Sequence, residues 1–115
     1  MRKSDKQLDN RLRGALMEAC ELALESVPGF RWLTHLADYQ RFPDSLRIVC
    51  VFDSDDALAR AREAREDDYL CQLLQAKLAA AAIKPAALRR QVRFDSEEAC
   101  QREHKGNWKR RLHDA

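Results

Sequence analysis

The stretch from Leu46 to about Ala82 constrains the fold of this chain most. It opens with an apolar run rich in β-branched residues, Leu46-Arg47-Ile48-Val49-Cys50-Val51-Phe52, which is typical of a buried strand. The next residues, Asp53-Ser54-Asp55, end the run and offer side-chain oxygens that can cap a helix. A long helical pattern then continues until Pro85. We therefore predict a central strand that leads directly into a capped helix, in a small α+β domain.

The residues before this strand predict one helix and one further strand. Between Asp5 and about Val27, apolar residues recur every four positions and form one stripe along a helix. The stripe consists of Leu8, Leu12, Leu16, Cys20 and Leu24. Pro28-Gly29 ends the helix, and Phe30–Tyr39 is then predicted to be a strand. A turn at residues 42–45 makes this strand the antiparallel partner of the central strand.

The residues after the central strand predict two helices and a third strand. Glu66-Asp67-Asp68 offers a second set of capping oxygens, so we predict a helix break near residues 65–67. A single helix from Asp55 to Ala82 is the alternative, because no glycine or proline marks the break. Alternating residues predict the third strand over 87–94. The predicted fold is an α-β-β-α-α-β chain whose three-stranded sheet carries helices on one face, followed by a short basic helical tail.

Length and composition are those of one domain. A chain of 115 residues can bury one hydrophobic core, which we assign to about residues 5–95, with the tail at about 96–115. The sequence contains no apolar run of about eighteen residues, so we expect no membrane span. The first residues lack the apolar segment of a signal peptide, which predicts a cytoplasmic protein.

The charges are distributed unevenly along the chain. The formal net charge is +2, but residues 1–13 and residues 100–115 each carry +3, which leaves −4 for the residues between them. Basic ends of this kind can contact phosphates or an acidic partner. They can also be ordinary solvated chain ends, and the sequence leaves that alternative open.

Cations and one tryptophan near the C-terminus predict a candidate nucleic-acid-binding surface. Its members are Arg89, Arg90 and Arg93 on the third strand and Lys105, Trp108, Lys109, Arg110 and Arg111 in the tail. Lysine and arginine would contact phosphates regardless of sequence, and an exposed tryptophan could stack on a base. The alternative is an edge strand protected by its charges and a tryptophan that anchors the tail.

Other chemistry has weak support in the sequence. Cys100 and His104 are one helical turn apart and could be half of a zinc site that His35 or His113 completes, but one half-site is a weak signal. The aspartate clusters are explained by helix capping, and no glycine-rich phosphate loop is present. We therefore expect no enzyme activity and no cofactor.

The element order and the strand–Asp–Ser–helix passage resemble the type II KH domain, which occurs in ribosome-associated factors and in a bacterial replicative-helicase loader. This resemblance covers about residues 5–95 and implies contact with nucleic acid. KH domains hold nucleic acid with a G-x-x-G loop between their two adjacent helices. The matching residues 64–68 read Ala-Arg-Glu-Asp-Asp, so any binding here would need another surface.

Four stretches of the sequence carry a further resemblance: residues 1–6, 29–35 (Gly-Phe-Arg-Trp-Leu-Thr-His), 49–53 (Val-Cys-Val-Phe-Asp) and 94–108. They resemble a family of short gamma-proteobacterial proteins, mostly uncharacterised, whose members are often labelled Fis-family transcriptional regulators. The label implies a C-terminal helix-turn-helix. The segment after Phe94 holds about twenty residues and a turn at Gly106-Asn107, which we expect to be too short for the helices of such a unit.

Two functions follow as hypotheses. The first is a small accessory protein, regulatory or linked to the ribosome or to replication, that binds DNA or RNA through its basic surface. The second is a protein-interaction module or a homodimer formed through an exposed sheet edge, without nucleic-acid binding.

Overall fold

The computed structural model describes residues 2–114, which form three strands and six α-helices. The helices are α1 (Lys3–Ser26), α2 (Asp55–Glu63), α3 (Glu66–Ala80), α4 (Leu88–Gln91), α5 (Glu97–His104) and α6 (Trp108–Asp114). The strands are β1 (Phe30–Leu36), β2 (Arg47–Phe52) and β3 (Val92–Ser96). The predicted α+β class is confirmed, and the predicted element order gains one helical turn, α4, before the last strand.

The central position of β2 explains why its sequence is almost wholly apolar. The strand order is β1-β2-β3, with β1 antiparallel and β3 parallel to β2. Every residue from Ile48 to Phe52 is buried, because both faces of the strand are covered. The hairpin and the central strand that the sequence predicted are therefore confirmed.

A β-bulge in β1 changes which residues share a face of the sheet. Phe30 pairs with Phe52 while Trp32 pairs with Val51, so the register shifts by one residue between them. Phe30 therefore points into the main core and meets Phe52 edge to face, with ring centroids 6.0 Å apart. Simple alternation along the predicted strand would place Phe30 and Trp32 on the same face of the sheet, and the bulge makes that expectation wrong.

Helices α1 and α3 cover the face of the sheet that carries Phe52. The α1 residues that are buried against this face are Leu12, Ala15, Leu16, Ala19 and Ala23. This stripe is rotated from the predicted one, because alanines lie where helix and sheet approach closely and Leu24 remains 52% exposed. Helix α3 completes this core with Leu70, Leu74 and Leu78.

The break between α2 and α3 lies where the second set of capping residues predicted it. Arg65 adopts the left-handed conformation, with φ 59°, and separates Glu63 at the end of α2 from Glu66 at the start of α3. The alternative of one continuous helix is therefore wrong. Ser54 caps α2 by accepting a hydrogen bond from the backbone N–H of Ala57 at 3.0 Å.

The third strand begins later than the sequence predicted. Residues 88–91 form the helical turn α4, and the strand runs from Val92 to Ser96. The turn is favoured because the amide of Gln91 donates to the carbonyl oxygens of Pro43, at 2.9 Å, and Leu46, at 2.8 Å, in the hairpin loop. Alternation along residues 87–94 would place Arg89 and Arg93 on one face of a strand. They do not share such a face, because Arg89 lies in α4 and Arg93 in β3.

The C-terminal tail covers the second face of the sheet. Trp108, at the start of α6, packs edge to face on Trp32 with ring centroids 4.8 Å apart. Arg111 of α6 forms a two-pronged ion pair with Asp95 of β3, at 2.6 and 2.9 Å. The tail is thus part of the folded unit, and α6 is the short terminal helix that the sequence predicted.

A short sequence repeat underlies the two strand-to-helix passages. Residues 52–57 read Phe-Asp-Ser-Asp-Asp-Ala and residues 94–99 read Phe-Asp-Ser-Glu-Glu-Ala. In each passage the serine caps the following helix, and Ser96 also donates a hydrogen bond to Asp55 at 2.6 Å. The two helices α2 and α5 therefore begin side by side at the ends of the parallel strands β2 and β3.

A polar contact fastens α1 to the loop of the hairpin. Asp9 accepts hydrogen bonds from the Tyr39 hydroxyl and from Arg13 Nε, the latter at 2.7 Å. The Tyr39 hydrogen bond and then Arg13 lower the pKa of Asp9 below its ordinary value. Burial and the adjacent carboxylate raise the pKa of Tyr39 to about 12, so its hydroxyl stays protonated as a donor.

This contact predicts acid sensitivity. A carboxylate whose pKa is lowered by folding adds stability above its unfolded-state pKa of about 4, and that stability is lost as the pH falls through the folded-state value. Tyr39→Phe should lower the unfolding free energy at neutral pH by about 1–2 kcal/mol and move acid unfolding to higher pH. Urea unfolding at neutral pH measures the first effect, and circular dichroism during a pH titration measures the second. Tyr69→Phe removes only an exposed contact to Ser26, so an equal shift there would contradict the assignment.

Candidate nucleic-acid interface

A groove separates α6 from the end of the β1–β2 hairpin. We call it the α6 groove; it measures about 720 Å³ and is lined by Leu36, Arg47, Asn107, Lys109, Arg110, Leu112 and His113. The sheet contributes Leu36 and Arg47, which are cross-strand partners, and α6 with its preceding turn contributes the rest. Leu36 is 38% exposed and gives the groove an apolar floor.

The α6 groove is a basic site. Its described lining residues include two arginines, one lysine and one histidine, and no described lining residue is acidic. Arg47 and Lys109 are exposed, and neither forms an ion pair with any residue between 2 and 114 whose contacts are described. Unpaired cations beside an apolar floor can accept a phosphate and the sugar or base attached to it.

A second depression continues the groove along α6. It measures about 320 Å³ and shares Leu112 with the α6 groove, and Arg93 of β3 lines it. Arg93 pairs with Val49, two residues from Arg47, so both arginines lie on the face that α6 covers. The acids in this depression, Asp95 and Glu103, are both bound by Arg111.

Two of the predicted contact residues hold the fold together. The Arg111 side chain is 15% exposed and contacts Asp95, Glu103 and the carbonyl oxygen of Ala99. The hydrogen bond to Asp95 is the main cause that raises the pKa of Arg111. Trp108 is half-buried against Trp32, so it anchors the tail and does not offer a stacking surface.

The arginines around α4 differ in their surroundings. Arg89 bonds to Asp67 at 3.2 Å, lies 3.7 Å from Asp68 and stacks over the ring of Phe94 at 5.5 Å. Its charge is therefore neutralised locally. Arg90 is exposed but lines neither depression.

The remaining predicted cations lie in the tail. Lys105 is exposed, adopts the left-handed conformation and ends α5. Lys109 and Arg110 line the α6 groove, as a binding role requires. The structure thus brings Lys109, Arg110 and Arg93 together around α6 and leaves Lys105 at the turn.

Arg47 is the groove residue that sequence reasoning missed. It is the one charged residue inside the apolar run, and it was counted only as part of a buried strand. Side chains alternate between the two faces of a strand, and Arg47 lies two residues before Val49. Arg47 therefore lies on the same face as Val49, at the exposed end of the strand. That spacing was available in the sequence.

The half-site at Cys100 and His104 is not completed. Cys100 is fully buried, and burial raises the pKa of its thiol. Among the side chains that the structure describes, those of residues 2–113, no three of His, Cys, Asp or Glu are grouped closely enough to hold a metal ion.

The segment after Phe94 forms two short helices, of eight and seven residues, joined by a turn. Helices α5 and α6 flank the turn at residues 105–107. However, the α6 side chains Trp108 and Arg111 are committed to the sheet, so only the outer side of α6, with Lys109, faces solvent.

No helix among the described residues combines the length and apolar character needed to cross a membrane. No family model, curated protein or solved structure matches this chain.

Proposed function

We propose that this chain is an accessory protein that binds the phosphate backbone of DNA or RNA through the α6 groove and Arg93. The observation that carries the proposal is that the exposed cations Arg47 and Lys109, which form no ion pair with the described residues whose contacts are given, flank an apolar floor in the groove that Arg110 also lines. Such a surface gives affinity that depends on salt and little on sequence.

The role of Arg111 supports this placement. It pairs with both acids that line the neighbouring depression, Asp95 and Glu103, so those two carboxylates oppose a phosphate less. The shared Leu112 joins Arg93 to the same surface, which gives a backbone several successive contact points.

The turn between α2 and α3 is unsuited to the grip of a KH domain. Glu63, Glu66, Asp67 and Asp68 surround Arg65 in that turn, and acids repel phosphates. A KH-like element order therefore supports a nucleic-acid role here only together with a different contact surface. We place that surface on the opposite face of the sheet, under α6.

Fluorescence anisotropy with labelled single-stranded RNA and duplex DNA tests the proposal. The wild-type protein should bind at least one probe at micromolar concentration in low salt, and its affinity should fall steeply as salt rises. Arg47→Glu combined with Lys109→Glu should weaken binding by about tenfold or more and flatten the salt dependence, since each lost phosphate contact reduces the slope by about one.

A matched control separates this surface from the overall charge. Arg62→Glu with Lys84→Glu changes the net charge equally, at exposed residues outside both depressions. Equal weakening by the two double variants would show that only net charge matters. No binding of any probe in low salt would overturn the proposal and favour a protein partner.

A further inference from the structure

The outer edge of β1 is open, and a groove runs beside it. Strand β1 pairs only with β2 among the described strands, so its other backbone edge has no strand partner there. The groove between this edge and α1 measures about 480 Å³ and is lined chiefly by Arg13, Met17 and Cys20 of α1 and by Leu33, Thr34 and His35 of β1.

The helix side of this groove has the spacing of a helix-packing seam. Intervals of four, three and four residues keep side chains on one side of a helix. Along α1 these intervals separate Arg13, Met17, Cys20 and Leu24. Met17 is 63% exposed and Leu24 is 52% exposed, the two highest values among the large apolar side chains that the structure describes. The two side chains lie on the same side of α1, where they extend the apolar lining of the groove, and neighbouring exposed apolar residues of this kind mark interaction surfaces.

A single twofold axis can relate both β1 and α1 to the same elements of a second copy of the chain. The chain reverses at Pro28-Gly29, and both Met17 of α1 and Thr34 of β1 line the groove. At the usual rise per residue, Met17 lies about 15 Å before Val27 along the helix and Thr34 lies about 13 Å after Phe30 along the strand, so the two are at similar distances from the turn. A twofold axis through Thr34 pairs β1 with its own copy in antiparallel register, which sets Leu33 opposite His35 of the second copy. The same axis brings the two α1 helices side by side, with Met17 at the centre.

The charges on α1 fit that axis. Arg13 lies four residues before Met17 and Glu21 lies four residues after it. In an antiparallel helix pair centred on Met17, Arg13 therefore faces Glu21 of the second copy, and the contact occurs twice. The Arg13 side chain remains 64% exposed while Nε binds Asp9, and Glu21 is exposed.

We infer that the chain forms a twofold homodimer through β1, in which the two sheets join edge to edge and the α1 helices pack around Met17. The inference does not depend on nucleic-acid binding. In this dimer a second copy of the chain covers the exposed apolar residues beside the open edge. A second copy fits this surface better than an unrelated partner does, because Arg13 and Glu21 complement each other across the twofold axis.

Size-exclusion chromatography with light scattering, from low to high micromolar protein, tests the inference. The wild type should have the mass of a dimer at high concentration. Met17→Glu should raise the dimer dissociation constant about tenfold or more, because it places two like charges at the axis. Leu22→Glu is the matched control: it is 39% exposed on the same helix, but about 200° around the helix from Cys20, and should leave dimerisation unchanged.

Two further measurements test the arrangement itself. Glu21→Arg should weaken the dimer more than Glu63→Arg, which makes the same charge change at an exposed position on α2. Amide hydrogen exchange in β1 should slow as the protein concentration rises, because the edge amides become paired. A monomer at all concentrations, a dimer that tolerates Met17→Glu, or β1 exchange that is independent of concentration would overturn the inference.

Discussion

Arg111→Met should destabilise the protein by about 2–3 kcal/mol, because it leaves the largely enclosed Asp95 carboxylate without its cation, whereas Glu103 is exposed and keeps its ion pair with Arg102. Asp95 is 20% exposed in its side chain and would lose both hydrogen bonds from the guanidinium. Since α6 is held to β3 by this pair, the tail should loosen as well. Urea unfolding followed by tryptophan fluorescence measures the loss in unfolding free energy and the change around Trp108.

Two controls identify the cause of that loss. Arg102→Met removes an ion pair with Asp55 that is exposed on both sides, and should have a much smaller effect. Adding Asp95→Asn to Arg111→Met should recover much of the stability, because it removes the unpaired charge while keeping an oxygen for the N–H of Ser96. No recovery in the double variant would show that the aliphatic packing of Arg111 matters more than its charge.

Phe52→Ala should have the largest effect on stability, about 4 kcal/mol. The ring is fully buried at the end of the central strand and packs against Phe30. Domains of this size have total stabilities of about 5–15 kcal/mol, so the variant should be close to unfolding at moderate temperature. Chemical denaturation and the thermal midpoint both measure the change.

Leu24→Ala is the matched control for Phe52→Ala. Leu24 is an apolar residue of α1 that remains 52% exposed, and its truncation should change the stability of the monomer, measured at low protein concentration, by no more than about 0.5 kcal/mol. If the two variants lost similar stability, the core would lie on the predicted α1 stripe and not on the observed one.

Local signals in the sequence were sufficient for most of the fold. The β-branched run before Asp53, the serine caps and the turn after α1 each specify their element without help from distant residues. The errors arose where tertiary contacts decide the conformation. The bulge depends on Phe30 meeting Phe52, and the α4 turn depends on Gln91 reaching the carbonyl oxygens of the hairpin loop.

The candidate site was predictable only in part. Lys109, Arg110 and Arg93 were included because they are basic, and composition alone could not separate them from Arg111, which is bound by Asp95 and Glu103. Charge along a sequence does not show which cations fold onto acids. The position of Arg47 beside α6 depends on the tail returning over the sheet, a contact between distant segments.

The charged residues at the two ends of β2 differ in whether they are paired. Asp53, Asp55 and Asp56 follow the strand, and each lies within 4 Å of an arginine nitrogen, from Arg31, Arg102 and Arg60 respectively. Arg47 stands at the other end, about 20 Å away, and forms no ion pair with the described residues whose contacts are given. A polyanion is therefore attracted to the Arg47 end of the strand, and the encounter becomes faster as ionic strength falls.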